Sequence, residues 1–284
     1  MRVSFVKVED LTFVFPDGTV ALKDVSLEIK EGEFLAFIGQ NGSGKTTLAK
    51  NIAGLLKPTK GRVLVMGEDT RKIPTPKLAT MVGYIFQNPD HQLFNDTVYK
   101  EIAYGPRNLK LPEEEVQSRV EEAMRIVGLP PEFKSKHPFF LSKGLRQRVA
   151  IASILALRPK LIIVDEPTTG QDFKQSIEIM DFLKHLNGLG HTIIIITHDM
   201  PIVARYAERT VCLSHGRILL DGTTREVFRQ VDILRKAYIK PPQITMLAQR
   251  LQEYGMPGGV LTVEEATEHF RKLLEKSKSG SAGS

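Results

Sequence analysis

The chain contains the stretch Gly39-Gln40-Asn41-Gly42-Ser43-Gly44-Lys45-Thr46-Thr47 between an apolar run at residues 34–38 and a helix-compatible run at residues 48–53. The order strand, glycine-rich loop, helix is the context in which the pattern G-x-x-x-x-G-K-[ST] indicates a phosphate cradle. The glycines let backbone N–H groups turn inward without Cβ clashes, and the helix N-terminus adds the positive end of its dipole. We expect Lys45 to reach the β- and γ-phosphates and the Thr46 hydroxyl to hold Mg²⁺. The stretch therefore predicts a nucleotide-binding protein.

Two further strands are predicted to deliver ionisable side chains. Residues 161–164 are four consecutive aliphatic residues, typical of a strand buried on both faces of a parallel sheet, and Asp165 and Glu166 follow. Carboxylates are costly there unless they face a cleft or a metal, so we expect Asp165 to hold Mg²⁺ and Glu166 to orient the attacking water. Adjacent strand residues point in opposite directions, so the two carboxylates cannot share one role. Residues 192–197 repeat the pattern and end at His198, which could hydrogen-bond a γ-phosphate, although a histidine there is by itself more often structural.

Three residues are weaker candidates, and each has an ordinary structural alternative. Gln87 follows a predicted strand at residues 82–86, where it would face the ligand crevice of an α/β sheet; alone it would be an ordinary loop residue. Phe15 precedes a turn and could stack on an adenine ring, but a core Phe of a β-hairpin fits nearly as well. Ser142 is a candidate N-cap for a helix at residues 145–157, which would expose a second helix N-terminus or be only a capped helix.

The composition is that of a globular protein, with 284 residues of which 42% are apolar and 25% charged. No apolar run is close to the roughly 18 residues that span a membrane, and there is no signal-peptide core, so we predict a cytoplasmic protein with at most a peripheral membrane role. The single Cys212 excludes an internal disulfide and a cysteine-based zinc site. The net charge of +6 is scattered, which favours a solvated basic surface, and we expect no nucleic-acid partner.

The order of elements predicts an α/β fold with a parallel sheet and a helical extension. We divide the chain into one α/β domain at residues 1–222, a C-terminal helical extension at 223–276 and a flexible Ser/Gly-rich tail at 277–284. Residues 95–160 form a helix-dominated part of the first domain. The predicted strands cover residues 3–8, 12–15, 21–29, 34–38, 62–66, 82–86, 161–166 and 192–197, followed by a hairpin of residues 211–214 and 217–220. The extension carries no recognisable chemistry and could pack on the core or against a second subunit.

Several features in one order resemble the ATPase subunit of ABC transporters. They are the phosphate loop, Gln87, the signature-like stretch Leu141-Ser142-Lys143-Gly144, the stretch Val164-Asp165-Glu166-Pro167-Thr168-Thr169-Gly170-Gln171-Asp172, and His198. The resemblance covers residues 3 to about 220. It implies a P-loop NTPase of the ABC type, with a parallel-sheet core, an antiparallel β subdomain and a helical subdomain. Such proteins bind ATP and Mg²⁺ and hydrolyse ATP.

Residues 83–94 narrow the resemblance to the energy-coupling-factor group, whose ATPases power vitamin and nickel or cobalt uptake. The extension with Pro241-Pro242 and two short helices is also similar to that group, where it helps the ATPases dimerise. The implied partners are a second ABC ATPase subunit, an integral membrane coupling subunit and a substrate-binding membrane subunit. The implied location is the cytoplasmic face of the cell membrane.

The resemblance also implies a role for each site residue. In this family two subunits enclose two ATP molecules head to tail, and the phosphate loop of one faces the signature stretch of the other. The implied assignments are Phe15 to the adenine, residues 39–47 to the phosphates, Thr46, Gln87 and Asp165 to Mg²⁺, Glu166 to the water, His198 to the γ-phosphate, Ser142, Lys143 and Gly144 to the partner's ATP, and Asp172 to coupling between the sites. Phosphoryl transfer to water needs mainly positioning and charge stabilisation, which this set provides.

The sequence departs from the family at two places. The family signature Leu-Ser-Gly-Gly-Gln is Leu141-Ser142-Lys143-Gly144-Leu145 here, and Gln171 replaces the leucine before the aspartate of the crossing loop. We therefore expect a heterodimer in which the site on this chain's own phosphate loop is the more active one. The alternatives are a soluble ABC ATPase acting on DNA or ribosomes, an ATPase of another ABC importer class, a P-loop kinase or GTPase, and a purely structural nucleotide binder. A single cassette without a heptad run, the paired acids and the signature stretch weigh against them.

Overall fold

The computed structural model describes residues 4–281, with side chains described for residues 4–275. The strands are β1 Ser4–Val14, β2 Val20–Lys30, β3 Phe34–Ile38, β4 Lys60–Val65, β5 Glu68–Asp69, β6 Val82–Ile85, β7 Leu161–Asp165, β8 Thr192–Ile196, β9 Arg209–Ser214 and β10 Arg217–Thr223. The helices are α1 Lys45–Ile52, α2 Thr75–Ala79, α3 Val98–Asn108, α4 Glu113–Ile126, α5 Lys143–Leu155, α6 Phe173–Gly188, α7 Met200–Tyr206, α8 Thr224–Arg229, α9 Val231–Lys236, α10 Gln243–Arg250 and α11 Val263–Ser281. Short 3₁₀ turns lie at Pro89–His91, Pro131–Phe133, Pro138–Phe140 and Gln252–Tyr254.

The central sheet has the order β10-β9-β3-β8-β7-β6 and is parallel except for the hairpin of β9 and β10. Strands β3, β7 and β8 are buried along their whole length, because both faces of the sheet are covered. Ile196 of β8 pairs with Phe37 of β3 and with Asp165 of β7. The loops that follow these three strands therefore leave the sheet at one edge, where the site forms.

A second sheet has the order β2-β1-β4-β5 and is antiparallel. The two strands predicted at residues 3–8 and 12–15 form one strand, β1, with an irregular register between Val8 and Leu11. Asp10 has a φ of 46° at this irregularity, so the strand bends and continues. Val3 lies outside the described residues. The predicted turn after Phe15 is present, with the Gly18 N–H donating to the Phe15 carbonyl at 2.9 Å.

The region between β6 and β7 is helical, and α3, α4 and α5 lie in it. Helix α5 begins at Lys143, two residues before the predicted start at 145. The reason is the cap: the Ser142 hydroxyl accepts from the Leu145 N–H at 3.4 Å, so the helix starts directly after the serine.

The C-terminal helices divide into two groups. Phe228 and Leu234, on α8 and α9, are buried in the main core, so the first part of the predicted extension packs on the domain that precedes it. Helices α10 and α11 share a separate small cluster around Met256 and Val260. The backbone of α11 runs to Ser281, past the predicted start of the tail at 277, because serine and glycine weaken a helix without ending it. Residues 282–284 lie outside the described part. Within the described residues, none of the helices is both long and apolar enough to cross a membrane.

Candidate functional site

The loop between β3 and α1 follows a path that only glycine allows at two positions. Gly39 has a φ of 152°, and a Cβ there would lie 2.4 Å from the Leu213 carbonyl oxygen. Gly44 has a φ of 105°, and a Cβ there would lie 2.8 Å from the Ala21 carbonyl oxygen. Any side chain at either position would displace backbone. The loop is therefore held tightly against its neighbours, and α1 begins directly after it.

Lys45 is the first residue of α1 and is only 7% exposed. Its ammonium group donates to the carbonyl oxygens of Gly39 and Gln40, each at 2.8 Å, so the side chain folds back over the loop. Burial lowers the pKa of Lys45, and the negative charges of Glu166 and Asp165 oppose that shift. The ammonium group supplies a fixed positive charge to the loop, and the two carboxylates offset part of it unless a cation binds beside them.

Asp165 ends β7 and accepts hydrogen bonds from two hydroxyl groups. The Thr46 hydroxyl donates to its Oδ2 at 3.2 Å, and the Tyr84 hydroxyl donates to the same oxygen at 2.7 Å. Burial raises the pKa of Asp165, while the hydrogen bonds from Tyr84 and Thr46 act in the opposite direction. The structure thus brings together Thr46 and Asp165, the two residues with the oxygen ligands that Mg²⁺ prefers.

Glu166 lies one residue beyond the end of β7, so the strand alternation expected from the sequence does not apply to it, and both carboxylates line the same cleft. Its carboxylate lies 2.9 Å from Nδ1 of His198 and accepts from the Thr169 hydroxyl at 3.2 Å. Its backbone has a φ of 49°, and its N–H donates to the Ile196 carbonyl at 2.8 Å. Because β7 and β8 are neighbours, the carboxylate and the imidazole meet although they lie 32 residues apart.

These residues line one cleft of about 570 Å³ at the edge of the central sheet. We call its wall the phosphate-loop face; it consists of Phe15, Thr19, Val20, Ala21, Asn41, Gly42, Ser43, Gly44, Lys45, Thr46, Thr47, Gln87, Asp165, Glu166 and His198. Gly39 and Gln40 contribute the carbonyl oxygens that hold Lys45. Phe15 is 37% exposed, while Phe13 is buried beneath it with its ring centroid 5.0 Å away. Phe15 therefore lines the cleft, and its contact with an adenine ring stays a prediction.

The signature stretch lies elsewhere on the chain. Ser142 and Gly144 line a separate cleft of about 460 Å³, together with Gln171. We call Ser142, Lys143, Gly144 and Asp172 the signature face; Gly144 is half-buried and the other three are exposed. The Lys143 ammonium group donates to the Thr169 carbonyl at 3.4 Å, and Asp172 caps α6 by accepting from the Gln175 N–H at 2.8 Å. The signature face therefore does not contribute to the cleft that holds Lys45.

The residues of the phosphate-loop face fit a magnesium-bound nucleoside triphosphate. The Ser43 hydroxyl oxygen is buried and has no hydrogen-bond partner among the described residues, as expected of a group that awaits a ligand. Thr46 and Asp165 supply hard oxygen ligands, and Lys45 supplies a positive charge. The glycines leave the backbone close to the cleft, so that its N–H groups can approach phosphate oxygens.

Comparison with known proteins agrees with this chemistry. A family model described as ABC transporter matches residues 22–169. The energy-coupling factor transporter ATP-binding protein EcfA2 of Caldanaerobacter subterraneus subsp. tengcongensis is 46% identical over 282 residues, which cover 96% of this chain and 99% of the relative. The chain belongs to the ABC transporter ATP-binding proteins of the energy-coupling-factor group. The fold expected from the resemblance is thereby confirmed.

A solved ABC structure supports the same assignment. It is that of cbiO1 from Clostridium perfringens, part of the ABC transporter complex cbiONQ, with a TM-score of 0.72 and 41% identity, covering 86% of this chain and 98% of that one. A longer relative from Caldanaerobacter subterraneus subsp. tengcongensis is 52% identical over 246 residues, and the chain spans 43% of its length.

Two polar residues of this ABC site received no role from the sequence. Tyr84 lies on β6, and its hydroxyl reaches Asp165; Thr169 lies in the loop after Glu166, and its hydroxyl reaches that glutamate. The only available signal for Tyr84 is its register, because β6 pairs with β7 and Tyr84 stands opposite Ile163, two residues before Asp165. That signal becomes usable only when the order of strands is known.

Proposed function

We propose that this chain is the ATP-hydrolysing subunit of an energy-coupling-factor importer, acting at the cytoplasmic face of the membrane as a peripheral protein. The observation that carries the proposal is the single cleft in which Lys45, Thr46, Asp165 and Glu166 meet. That set provides a phosphate cradle, a metal-binding pair and a carboxylate for water. The names of the relatives supply the transport context, and we extend it to this chain as part of the proposal.

Each residue of the phosphate-loop face has a proposed role. Residues 39–47 hold the phosphates through backbone N–H groups, and Lys45 leaves the carbonyls of Gly39 and Gln40 to contact the β- and γ-phosphates. This exchange favours triphosphate binding, because a hydrogen bond from an ammonium group to a charged phosphate oxygen is stronger than one to a neutral carbonyl oxygen. Phe15 packs against the adenine ring.

Thr46, Gln87 and Asp165 are proposed to hold Mg²⁺. When bound, Mg²⁺ neutralises charge on the β- and γ-phosphate oxygens. Gln87 lies two residues after the end of β6 and lines the same cleft as the other two residues. Mg²⁺ usually keeps several waters and takes only one or two carboxylates, which agrees with this sparse set of protein ligands.

Glu166 and His198 are proposed to serve the water and the γ-phosphate. The Glu166 carboxylate accepts a hydrogen bond from the attacking water and orients it, while Thr169 fixes the second carboxylate oxygen. His198 is mostly solvent-exposed and lines the cleft beside the carboxylate, where it can contact the γ-phosphate of a bound nucleotide. Its bond to Glu166 makes the position of the imidazole depend on that of the catalytic carboxylate.

A complete site needs a second subunit. The signature face of this chain lines a different cleft, so we propose that Ser142 and Gly144 contact the γ-phosphate in the partner's site, with Lys143 between them. Asp172 is proposed to couple the two sites across the interface. The C-terminal helices α10 and α11 are proposed to add contacts between the ATPase subunits.

The proposed dimer is a heterodimer. Lys143 adds bulk and charge where the family has glycine, and Leu145 lacks the amide that the family's glutamine provides. The site built on this chain's signature face is therefore expected to hydrolyse ATP more slowly than the site built on its phosphate loop. Changing Glu166→Gln here, and separately the corresponding glutamate of the partner, tests this in the assembled complex. Equal losses of turnover would refute the asymmetry.

The transported substrate is proposed to be a vitamin or a transition-metal ion that membrane subunits bind. Affinity purification of the full-length chain from membranes, followed by mass spectrometry, tests the proposal. We expect a second ABC ATPase, an integral coupling subunit and a small integral substrate-binding subunit. Recovery with ribosomes or DNA would support a soluble ABC ATPase instead, and recovery with a periplasmic-type binding system would support another importer class.

A further inference from the structure

Tyr84 is buried beside the proposed metal site, and its hydroxyl group has one hydrogen-bond partner in the described structure. Its side chain is 6% exposed, and the hydroxyl donates to Oδ2 of Asp165 at 2.7 Å. Asp165 is itself only 8% exposed. A buried phenol needs a partner, and this one uses the carboxylate that ends β7.

The register of the sheet explains how the two groups meet. Tyr84 stands opposite Ile163, and Asp165 lies two residues further along β7, on the same face of the sheet as Ile163. The tyrosine side chain therefore points to that face and extends toward the carboxyl end of the sheet. The ring of Phe86 packs edge-on against it with centroids 5.0 Å apart, which restricts its orientation.

We propose that Tyr84 is a positioning residue that holds Asp165 in the orientation in which it serves Mg²⁺. This inference rests on the proposed function. Asp165 has one other side-chain donor, Thr46, and that hydroxyl is itself a proposed metal ligand. The Thr46 hydroxyl would have to serve the metal and Asp165 together, whereas the Tyr84 phenol has Asp165 as its one hydrogen-bond partner in the described structure and can fix the carboxylate independently of the metal.

The hydrogen bond should matter most for the metal-dependent part of nucleotide binding. Removing the hydrogen-bond partner of a metal-binding group typically lowers metal affinity by about 10- to 100-fold. The phosphate contacts of residues 39–47 do not involve Tyr84, so binding of ATP without metal should not change.

The experiment compares Tyr84→Phe with a matched control, Tyr206→Phe. The Tyr206 hydroxyl also donates to a carboxylate at 2.7 Å, that of Asp181, but neither residue lines the nucleotide cleft. Binding of a fluorescent ATP analogue to the full-length chain is measured in EDTA and during titration with MgCl₂. For Tyr84→Phe we expect the Mg²⁺ midpoint to rise about tenfold, with affinity in EDTA within about twofold of the unmodified chain. Tyr206→Phe should leave both values unchanged.

A double variant separates positioning from a general loss of packing. In an Asp165→Asn background, Tyr84→Phe should cause no further change in the Mg²⁺ midpoint, because the group that it positions is already altered. An unchanged midpoint in the single variant, an equal loss of affinity in EDTA, or additive effects in the double variant would each overturn the inference. If the unmodified chain itself bound the analogue without any effect of Mg²⁺, the proposed function would fail with it.

Discussion

The phosphate-loop face and the signature face differ in how firmly contacts within this chain hold their side chains. On the phosphate-loop face, Lys45 and Asp165 are buried, and their hydrogen bonds to neighbouring groups include several of 2.7–2.8 Å. On the signature face, Ser142 and Lys143 are exposed and the hydrogen bonds of their side chains are 3.4 Å long, although Asp172 accepts from the Gln175 N–H at 2.8 Å. The first face is preorganised within the chain, whereas Ser142 and Lys143 of the second make longer contacts within it, which agrees with the proposal that they serve a partner's nucleotide.

The two faces are nevertheless connected through short paths within the chain. Lys143 contacts the carbonyl of Thr169, and the hydroxyl of Thr169 contacts Glu166. An ion pair of 2.7 Å between Asp90 and Arg146 also joins the loop after Gln87 to α5. A change at the signature face can therefore reach the carboxylate of the other face through few contacts.

Replacing Lys45 tests whether the phosphate-loop face depends on its buried charge. For Lys45→Ala we expect hydrolysis at low ATP concentration to fall by roughly 10³-fold or more, because a preorganised cation is lost from a site of low dielectric. ATP turnover of the assembled complex and nucleotide binding by the chain measure the effect. Lys60→Ala, an exposed lysine on β4, is the control and should have no effect. Retained ATPase activity of this chain's site would refute the assignment.

Replacing Glu166 separates binding from chemistry on the same face. For Glu166→Gln we expect turnover at this site to fall by about 10²- to 10³-fold while ATP affinity is kept, since the residue acts on the water. Single-turnover phosphate release checks the first part and equilibrium binding the second. Glu121→Gln, which alters a surface ion pair with Lys134 and a hydrogen bond from Gln117, serves as control. A parallel loss of affinity would show that Glu166 acts on nucleotide binding instead.

Replacing Phe15 tests whether its ring stacks on the base of ATP. Stacking of a base on an aromatic ring contributes about 1–3 kcal/mol, so Phe15→Ala should weaken ATP binding by about tenfold at unchanged maximal turnover. Phe139→Ala removes a ring of similar exposure outside the cleft and should leave binding unchanged. Titration of the chain with ATP distinguishes them. Equal ATP affinities of the two variants would show that Phe15 only packs in the protein and does not contact the base.

Lys143 offers the smallest effect and the most direct test of the difference between the faces. In the assembled complex, Lys143→Gly combined with Leu145→Gln restores the family's signature residues and should raise total turnover by at most about twofold, since only one of two sites gains. Lys174→Gly, in the first turn of α6, controls for a glycine at a helix start. A fall in turnover would show that Lys143 supports hydrolysis, through Thr169 or through the partner's nucleotide.

Much of the fold followed from local patterns. The fully apolar strands β3, β7 and β8 and the glycine-rich loop were predicted within one or two residues, because burial on both faces and positive φ leave direct marks in the sequence. The irregularity of β1 at Asp10 was not predicted, and the packing of the extension's first helices, α8 and α9, on the main core was one of two alternatives that the sequence left open. Both depend on which partner strand or helix face lies opposite, and no local pattern encodes that.

The site divides in the same way. The sequence by itself determined the chemistry of residues 39–47 and of the strand ends at Asp165, Glu166 and His198, since backbone periodicity places such groups at one edge of a parallel sheet. The tertiary structure alone decided that the Tyr84 hydroxyl, 81 residues before Asp165, becomes its hydrogen-bond partner. It also decided that the signature face lies outside the cleft that holds Lys45. Such contacts arise from strand order and domain packing, which join residues far apart in the chain.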